Sequence, residues 1–196
     1  MTLAEALLPL YRAYLRRLDE MAARLPAGTA VREATAHADG RLLEGDDGLP
    51  RRFDVADAAT GETYEVHGAS PDMPAAAEVR VGTLPVTLRP GNWEELSVAC
   101  VFAAPPPAEE AEGLARLLTS FAEVASFGGF AGGGPGKGRL HALRAVALRE
   151  SEMHAVYDLG SAPPEAVEAL LRALAGWSED RLAIARVRIG GSLGAE

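Results

Sequence analysis

The chain has 196 residues, of which 48% are hydrophobic and 24% charged, and these values are typical of a packed globular protein rather than a disordered one. Its formal net charge is −9, which disfavours nucleic-acid binding because that affinity comes largely from neutralising phosphates. A single cysteine, Cys100, excludes an internal disulfide.

The first predicted element is an amphipathic helix over residues 3–25. Its apolar side chains recur in steps of four and three residues and form one stripe: Leu7, Tyr11, Tyr14, Leu18, Met21 and Leu25. Pro26 and Gly28 are typical residues to end such a helix. We expect the stripe to pack on the protein's own sheet, with homodimerisation as the alternative.

A β-rich segment follows at residues 27–92. A strand is predicted over residues 29–38, ending at the turn dipeptide Asp39-Gly40. Around Thr60-Gly61, hydrophobic residues alternate with polar ones on both sides, which predicts a hairpin. The sequence leaves open whether this segment forms its own sheet or extends the sheet of the following part.

The end of the β-rich segment is less regular. A proline-containing loop is predicted at residues 70–74. Residues 78–88 are predicted to form one further strand, because Val79 and Val81 alternate with charged residues. Pro85 then makes this strand an edge strand or interrupts it, since proline cannot donate to a ladder.

The most informative feature is an internal repeat at an offset of 56 residues, in which residues 98–123 match residues 154–179 without gaps. Both copies have the pattern of a strand, a proline-rich turn, an acidic helix start and an amphipathic helix. The matched hydrophobic positions of the two helices predict a core against a sheet: Leu114, Leu118, Phe121, Leu170, Leu174 and Trp177.

Each copy then ends in a predicted strand, over residues 140–149 and 182–189. The order β-α-β-β-α-β resembles the ferredoxin-like arrangement, and this implies a four-stranded antiparallel sheet with two helices on one face. That superfold hosts many unrelated functions. We therefore predict one compact α+β protein with three parts: an N-terminal helix at residues 1–26, the β-rich segment at 27–92 and a ferredoxin-like unit at 93–190.

A glycine-rich segment at residues 128–138 resembles a phosphate-binding loop only superficially. A P-loop needs glycine, four residues and then Gly-Lys-Ser/Thr. Gly136-Lys137 is present, but Ala131 replaces the first glycine and Gly138 the hydroxyl residue. We therefore predict no nucleotide cofactor and interpret the segment as a surface loop, with closure over a ligand or partner as the alternative.

No metal site or catalytic constellation is predicted. His37, His67, His141 and His154 lack metal-ligand spacing, and the one cysteine cannot complete a zinc site. His154 and Cys100 lie in predicted central strands and are interpreted as core residues. The G-x-S-x-G motif of nucleophilic serines is absent, although triads are recognised by geometry rather than by sequence.

Two acidic clusters are the candidate partner-binding residues. They comprise Glu44, Asp46 and Asp47 in a loop, and Glu109, Glu110 and Glu112 at a predicted helix start. The loop spacing does not match an EF-hand, and a weak cation site is its alternative; the helix dipole alone also explains the second cluster. Arg144, Arg186 and Arg188 are predicted to share a sheet face, paired with Asp or Glu or, alternatively, binding an anion.

The acidic charge and the lack of a catalytic pattern favour a non-catalytic module that binds a basic protein. The most specific form of this hypothesis is an immunity-type inhibitor of a basic toxin such as a nuclease. The alternative is a small-molecule-binding protein or an enzyme, with a pocket between the sheet and helices of the ferredoxin-like unit or under the glycine-rich loop.

The compartment follows from what the sequence lacks. The uncharged segment of residues 96–107 is closed by three prolines and is too short to cross a bilayer, which takes ~20 apolar residues. The N-terminus has Glu5 and no basic leader, so we expect no signal peptide, no membrane partner and a cytoplasmic location. Lys137 is the only lysine beside many arginines, which indicates a GC-rich, bacterial genome.

Overall fold

The computed structural model describes residues 2–39, 41–67, 77–89, 91–130 and 138–190. The predicted loop at residues 70–74 and most of the glycine-rich segment lie outside the described residues. The described part is mixed α+β, as predicted, with three helices and eleven strands. The helices are α1 (Leu3–Ala22), α2 (Ala108–Ser126) and α3 (Pro164–Asp180). The strands are β1 (Ala30–Thr35), β2 (His37–Ala38), β3 (Arg41–Leu42), β4 (Arg52–Asp57), β5 (Thr63–Tyr64), β6 (Ala77–Val81), β7 (Leu84–Leu88), β8 (Leu96–Val101), β9 (Ala142–Arg149), β10 (Glu152–Asp158) and β11 (Arg186–Ile189).

α1 begins at a capping box. The Thr2 hydroxyl accepts the Glu5 amide at 3.2 Å, and the Thr2 amide donates to the Glu5 carboxylate at 2.6 Å. The helix ends at Ala22, about one turn earlier than predicted. It packs on α3, β1 and β4. Its largest buried side chains are Leu7, Leu10, Tyr14 and Leu18.

The main sheet has six strands in the order β6-β7-β11-β8-β10-β9. Neighbouring strands are antiparallel except β7 and β11, which are parallel. β8 and β10 occupy interior positions, as the apolar sequence of residues 98–103 predicted for the first of them. α2 packs on β9 and β10 and also contacts α3, so the two helices lie on the same face of this sheet.

The 56-residue repeat corresponds to two strand–helix units. β8 and β10 begin 56 residues apart, at Leu96 and Glu152, and α2 and α3 begin 56 residues apart as well. Of the predicted core positions, the leucines at 114, 118, 170 and 174 are at most 1% exposed. Phe121 and Trp177 are only partly buried and pack at the border of the core.

The β-rich segment contributes to all three sheets, and its strands β2 and β3 form a two-stranded sheet of their own. β1, β4 and β5 form a separate three-stranded sheet, and the hairpin around Thr60-Gly61 is present as β4 and β5. β6 and β7 instead extend the main sheet. Buried side chains of α1, β4 and the main sheet belong to one hydrophobic core.

The prediction of one strand over residues 78–88 is wrong, because the chain turns at Gly82 and forms the β6–β7 hairpin. Gly82 has φ 59°, a conformation that glycine adopts without strain. β7 is also an interior strand rather than an edge. Pro85 is tolerated there because the parallel pairing with β11 begins only at Val86, so no ladder bond from position 85 to β11 is lost.

Among the described residues, no helix is long and apolar enough to cross a membrane.

Candidate functional site

His141 is a buried histidine at the junction of the three-stranded sheet and the main sheet, immediately before β9. Its Nε2 lies 3.1 Å from Oε1 of Glu33, and its Nδ1 lies 3.4 Å from Oδ1 of Asp54 and 4.0 Å from Oδ1 of Asp158. Both ring nitrogens therefore face a carboxylate, an arrangement that stabilises the protonated imidazolium. Together with Tyr14, these residues are called the His141 cluster below.

Each carboxylate of the His141 cluster is held by further donors. The Tyr14 hydroxyl donates to Oδ1 of Asp54, whose Oδ2 accepts the amide of Val66 at 2.6 Å. The amide of Ser161 donates to Oε1 of Glu33 at 3.1 Å. For Asp158, Oδ1 accepts the Gly160 amide at 3.2 Å, and Oδ2 accepts from the Arg144 guanidinium at 3.2 Å. Such multiple hydrogen bonds are what buried charges require.

Burial and mutual charge shift the pKa values of the cluster. Burial alone would lower the pKa of His141, but the hydrogen bond to Glu33 and the charges of Asp158 and Asp54 outweigh it and raise that pKa. Burial likewise works against the charged form of Glu33, yet the hydrogen bonds from His141 and Ser161 lower its pKa. Burial raises the pKa of Asp158. These two opposite shifts favour the charged forms of His141 and Glu33, whose Nε2 and Oε1 atoms lie 3.1 Å apart.

Two residues with positive φ angles, Glu33 and Gly160, lie beside His141. Glu33 and Asp54 lie on the neighbouring strands β1 and β4, and Glu33 has φ 50°, which is uncommon for a residue other than glycine. Gly160 also has φ 50°, and a Cβ there would overlap Cδ2 and Nε2 of His141. Only glycine therefore fits beside the imidazole at position 160. The Gly160 carbonyl accepts the indole N–H of Trp93 at 3.0 Å.

A pocket of about 240 Å³ lies beside the His141 cluster, between the β-rich segment and the main sheet. It is called the His141 pocket below. Gly45, Leu49 and Ala142 contribute to its uncharged wall. Its charged lining is mixed and consists of Asp47, Arg51, Arg52, Glu65, Arg144 and Asp158 beside His141. Such a lining suits a polar ligand rather than an apolar one.

The predicted acidic loop forms part of this pocket, but its three carboxylates are not equivalent. Oδ1 of Asp47 accepts the amide of Leu49 at 3.0 Å, and its Oδ2 accepts the amide of Leu143 at 2.8 Å. Asp47 therefore ties the loop to the start of β9. Glu44 and Asp46 are exposed.

The second acidic cluster lies at the other end of the main sheet. Glu109 and Glu112 are exposed in the first turns of α2, Glu110 is half-buried, and Glu112 lies 3.7 Å from Arg116. α2 begins after the carboxyl end of β8. The Asp47 loop instead adjoins the start of β9. Because β10 lies antiparallel between β9 and β8, the starts of β9 and β8 are at the same end of the main sheet, opposite the end from which α2 begins. The two clusters therefore do not form one surface.

Other candidate residues are buried or pair with a carboxylate of the protein. Cys100 is fully buried, and burial raises the pKa of its thiol to about 12. His154 lies 3.1 Å from Glu152, and burial lowers its pKa. Arg188 also pairs with Glu152, and Arg144 pairs with Asp158, as predicted for a sheet face bearing both charges.

Within the described ranges, no group of three or more His, Cys, Asp or Glu side chains is arranged to hold a metal ion. In the His141 cluster, the carboxylates surround the imidazole itself rather than a common point beside it.

Sequence reasoning missed the His141 cluster. Its members are dispersed from position 14 to position 158, and each has an ordinary neighbourhood in the sequence. Asp54 alternates with Phe53 and Val55, which is the pattern of a polar residue on the solvent-facing side of a strand. The one usable signal is the short sequence Asp158-Leu-Gly160, in which a glycine directly follows a predicted central strand.

Comparison with protein-family models, with curated proteins and with solved structures finds no significant match.

Proposed function

We propose that this protein is a binding protein whose small polar ligand occupies the His141 pocket. The observation that carries this proposal is the convergence of buried ionisable groups on one wall of a pocket of about 240 Å³. Ionisable groups with perturbed pKa values beside a pocket are typical of functional sites, because burying charge without a purpose costs stability.

Binding is favoured over catalysis by the geometry of His141. A general base needs a ring nitrogen within hydrogen-bond reach of the proton that it abstracts. Both nitrogens of His141 face carboxylates of the protein, at 3.1 Å for Glu33 and 3.4 Å for Asp54. No lone pair is left for a substrate, so the His141 cluster serves to shape and charge the pocket wall.

A pocket-blocking variant tests this proposal. A library of small polar molecules is screened by two-dimensional NMR on the ¹⁵N-labelled protein, with the amides of Ala142 and Leu143 as reporters. Ala142→Phe fills the pocket and should abolish the shifts that ligands cause in the parent protein. Ala145→Phe adds the same side chain at an exposed position of the same strand and should leave binding unchanged. Equal binding by Ala142→Phe and the parent would place the ligand elsewhere.

A protein partner is the second candidate function, and the exposed acidic start of α2 favours it. Glu109 and Glu112 are exposed there, on a chain whose formal net charge is −9. Such a surface suits a basic protein partner, because opposite charges steer the two proteins together. In the immunity-type form of this hypothesis, this chain is the inhibitor and the basic partner is its toxin. Reversing Glu109, Glu110 and Glu112 to Arg should slow association by roughly one to two decades, with folding intact.

The control for this second candidate reverses Glu44 and Asp46, which lie at the other end of the main sheet. A native pull-down that returns no basic protein, with unchanged behaviour of both reversed variants, would leave the His141 pocket as the sole candidate.

For residues 93–190 we propose the ferredoxin-like arrangement. The strand order β11-β8-β10-β9, with every neighbouring pair antiparallel, supports it. So does the position of α2 and α3, each of which follows an interior strand. Because this arrangement hosts many functions, it adds no weight to either candidate function.

A further inference from the structure

We propose that this protein forms a homodimer in which β9 of one copy pairs antiparallel with β9 of a second copy, centred on Ala147. The pairing would join the two main sheets edge to edge. This inference goes beyond the proposed function and does not depend on the ligand of the His141 pocket.

The first observation is a row of open backbone groups on β9, which ends the main sheet among the described strands. The Ser151 carbonyl accepts an amide just beyond β8 at 2.9 Å, so Ser151 faces β8 and the next residue, Glu152, faces β9. Arg149 pairs with Glu152 and therefore faces β10. Because backbone direction alternates along a strand, the N–H and C=O groups of Val146 and Leu148 point away from β10.

The start of this edge is covered within the protein, whereas its second half is open. Oδ2 of Asp47 accepts the outward amide of Leu143 at 2.8 Å. Within the described part of the chain, the outward amides of Val146 and Leu148 have no corresponding acceptor. Such a row of open N–H and C=O groups is a template on which another strand can pair.

β9 also lacks the features that normally prevent two sheet edges from pairing. Residues 145–148, Ala-Val-Ala-Leu, carry no charge and no proline, and Leu148 is 44% exposed. The strand at the opposite edge, β6, instead exposes the charged residues Glu78 and Arg80. Edge strands are usually protected by charges, prolines or bulges, so the unprotected stretch of β9 indicates that a partner strand covers it.

The partner that matches this edge is β9 of a second copy. In an antiparallel pairing centred on Ala147, Arg144 lies opposite Glu150 of the second copy, and Val146 lies opposite Leu148. The two-fold axis repeats each contact, which gives two ion pairs and two apolar pairs. The outward backbone groups of Val146 and Leu148 also meet as hydrogen-bonded pairs in this register.

Other registers match less well. A shift of the pairing by one residue would place Arg144 opposite Arg149, and like charges directly opposite each other are destabilising. Centring the pairing on Val146 would leave Arg144 without an opposite charge. Arg144 is 46% exposed and contacts Asp158 through Nη2, and a guanidinium has further N–H donors for Glu150.

The contact is short, so we expect a weak dimer whose dissociation constant is micromolar rather than nanomolar, because stable interfaces bury ~1,200–2,000 Å². Sedimentation equilibrium from micromolar to millimolar protein measures it. Leu148→Lys should weaken the dimer about tenfold or more, because it places a charge in both apolar pairs. Leu42→Lys is the matched control, since Leu42 is 46% exposed on β3 and should leave association unchanged.

A cysteine cross-link tests the register. The two copies of position 147 would form a non-hydrogen-bonded pair with Cα atoms ~4.5 Å apart, which suits a disulfide. Mild oxidation of Ala147→Cys should therefore give a covalent dimer. Ala145→Cys is the control, because its two copies would lie about 13 Å apart and should not cross-link. The native Cys100 is fully buried and leaves this comparison unaffected.

Selective cross-linking through position 147, together with weaker association of Leu148→Lys, supports the inference. A protein that is monomeric at every concentration, with equal cross-linking of Ala147→Cys and Ala145→Cys, overturns it. A dimer that Leu148→Lys leaves unchanged also overturns it, because the contact then lies elsewhere. Growth into larger polymers would contradict it as well, since a two-fold pairing closes at two copies.

Discussion

The charge state of His141 depends on groups from four other elements. Glu33 in β1, Asp54 in β4 and Asp158 in β10 lie beside the imidazole, Tyr14 in α1 donates a hydrogen bond to Asp54, and the pKa of His141 is raised. A group whose pKa is raised on folding stabilises the folded state below its unfolded pKa, about 6.5 for histidine, and loses that contribution as the pH rises through the folded value. The raised pKa of Asp158 acts with the same sign at lower pH.

We therefore predict that the free energy of unfolding falls as the pH rises above about 6.5. Each unit by which the folded pKa exceeds the unfolded one contributes about 1.4 kcal/mol to this fall. Urea unfolding at a series of pH values measures it. His141→Gln should flatten the dependence, and His67→Gln, which removes an exposed imidazole, should not. A free energy that is constant or increases over this range would show that His141 is not held as a cation.

Gly160→Ala should destabilise the protein by about 1–3 kcal/mol, the range for a strained backbone position. The added Cβ would overlap the His141 ring and lie 2.7 Å from the Arg139 carbonyl, at φ 50°. Gly176→Ala is the matched control, because nothing lies within 4 Å of a Cβ there and the position is inside α3. It should stabilise the protein by about 0.5–1 kcal/mol. Urea unfolding compares the two, and equal effects would mean that the space beside His141 is not tight.

Position 54 shows why the candidate site was not predictable from the sequence. In an alternating strand, Asp54 between Phe53 and Val55 is the pattern of a half-exposed strand with polar residues in solvent. Yet both Asp54 and Val55 are buried, because β4 is covered on both faces. Which polar residue a strand buries depends on what packs over its second face. That is decided by contacts between residues as distant as 54 and 141.

The helices of the repeat are stabilised mainly by their buried leucines. Leu118 and Leu174 are fully buried, and the Leu118 carbonyl also accepts the Tyr157 hydroxyl at 3.2 Å. Leu118→Ala or Leu174→Ala should therefore cost about 2–5 kcal/mol, through lost transfer energy and a residual cavity. Urea unfolding of each variant measures the loss.

The matched control for these substitutions is Val124→Ala, since Val124 lies on α2 but is 62% exposed. We expect a change within about 0.5 kcal/mol there. A loss below about 1 kcal/mol for either leucine would contradict the assignment of these helix faces to the core.

The elements that were predictable from the sequence are those whose signal is local and periodic. The repeat placed the starts of α2 and α3 correctly, because each helix follows a proline turn and has leucines at helical spacing. The β6–β7 hairpin was misinterpreted because Gly82-Thr83 is a weak turn signal within an apparently continuous alternating pattern. The parallel pairing of β7 with β11 joins residues about a hundred positions apart, and no local pattern encodes it.

At the scale of the whole molecule, the first 92 residues complete the core of the rest. α1 covers α3, and Tyr11 packs on the buried Trp93 at a ring distance of 5.5 Å. β7 covers the outer edge of β11, which is only four residues long. The His141 cluster draws its charges from both parts. The part predicted from the repeat therefore shares its hydrophobic core with the first 92 residues, although its strand and helix order is encoded within it.

We predict on this basis that a fragment of residues 93–190 does not fold cooperatively. Removing residues 1–92 would expose Trp93 and the α3 surface under α1, and would leave His141 without Glu33 and Asp54. Near-UV circular dichroism and urea unfolding measure the outcome, with a low m-value and lost aromatic signals expected. A fragment of residues 77–190 is the control, because it restores the β6–β7 hairpin but not α1, and it should remain non-cooperative. If the shorter fragment instead unfolds in one sharp transition with the aromatic spectrum of the full chain, the repeat is an independent domain, and the contacts across the His141 cluster join two units that fold separately.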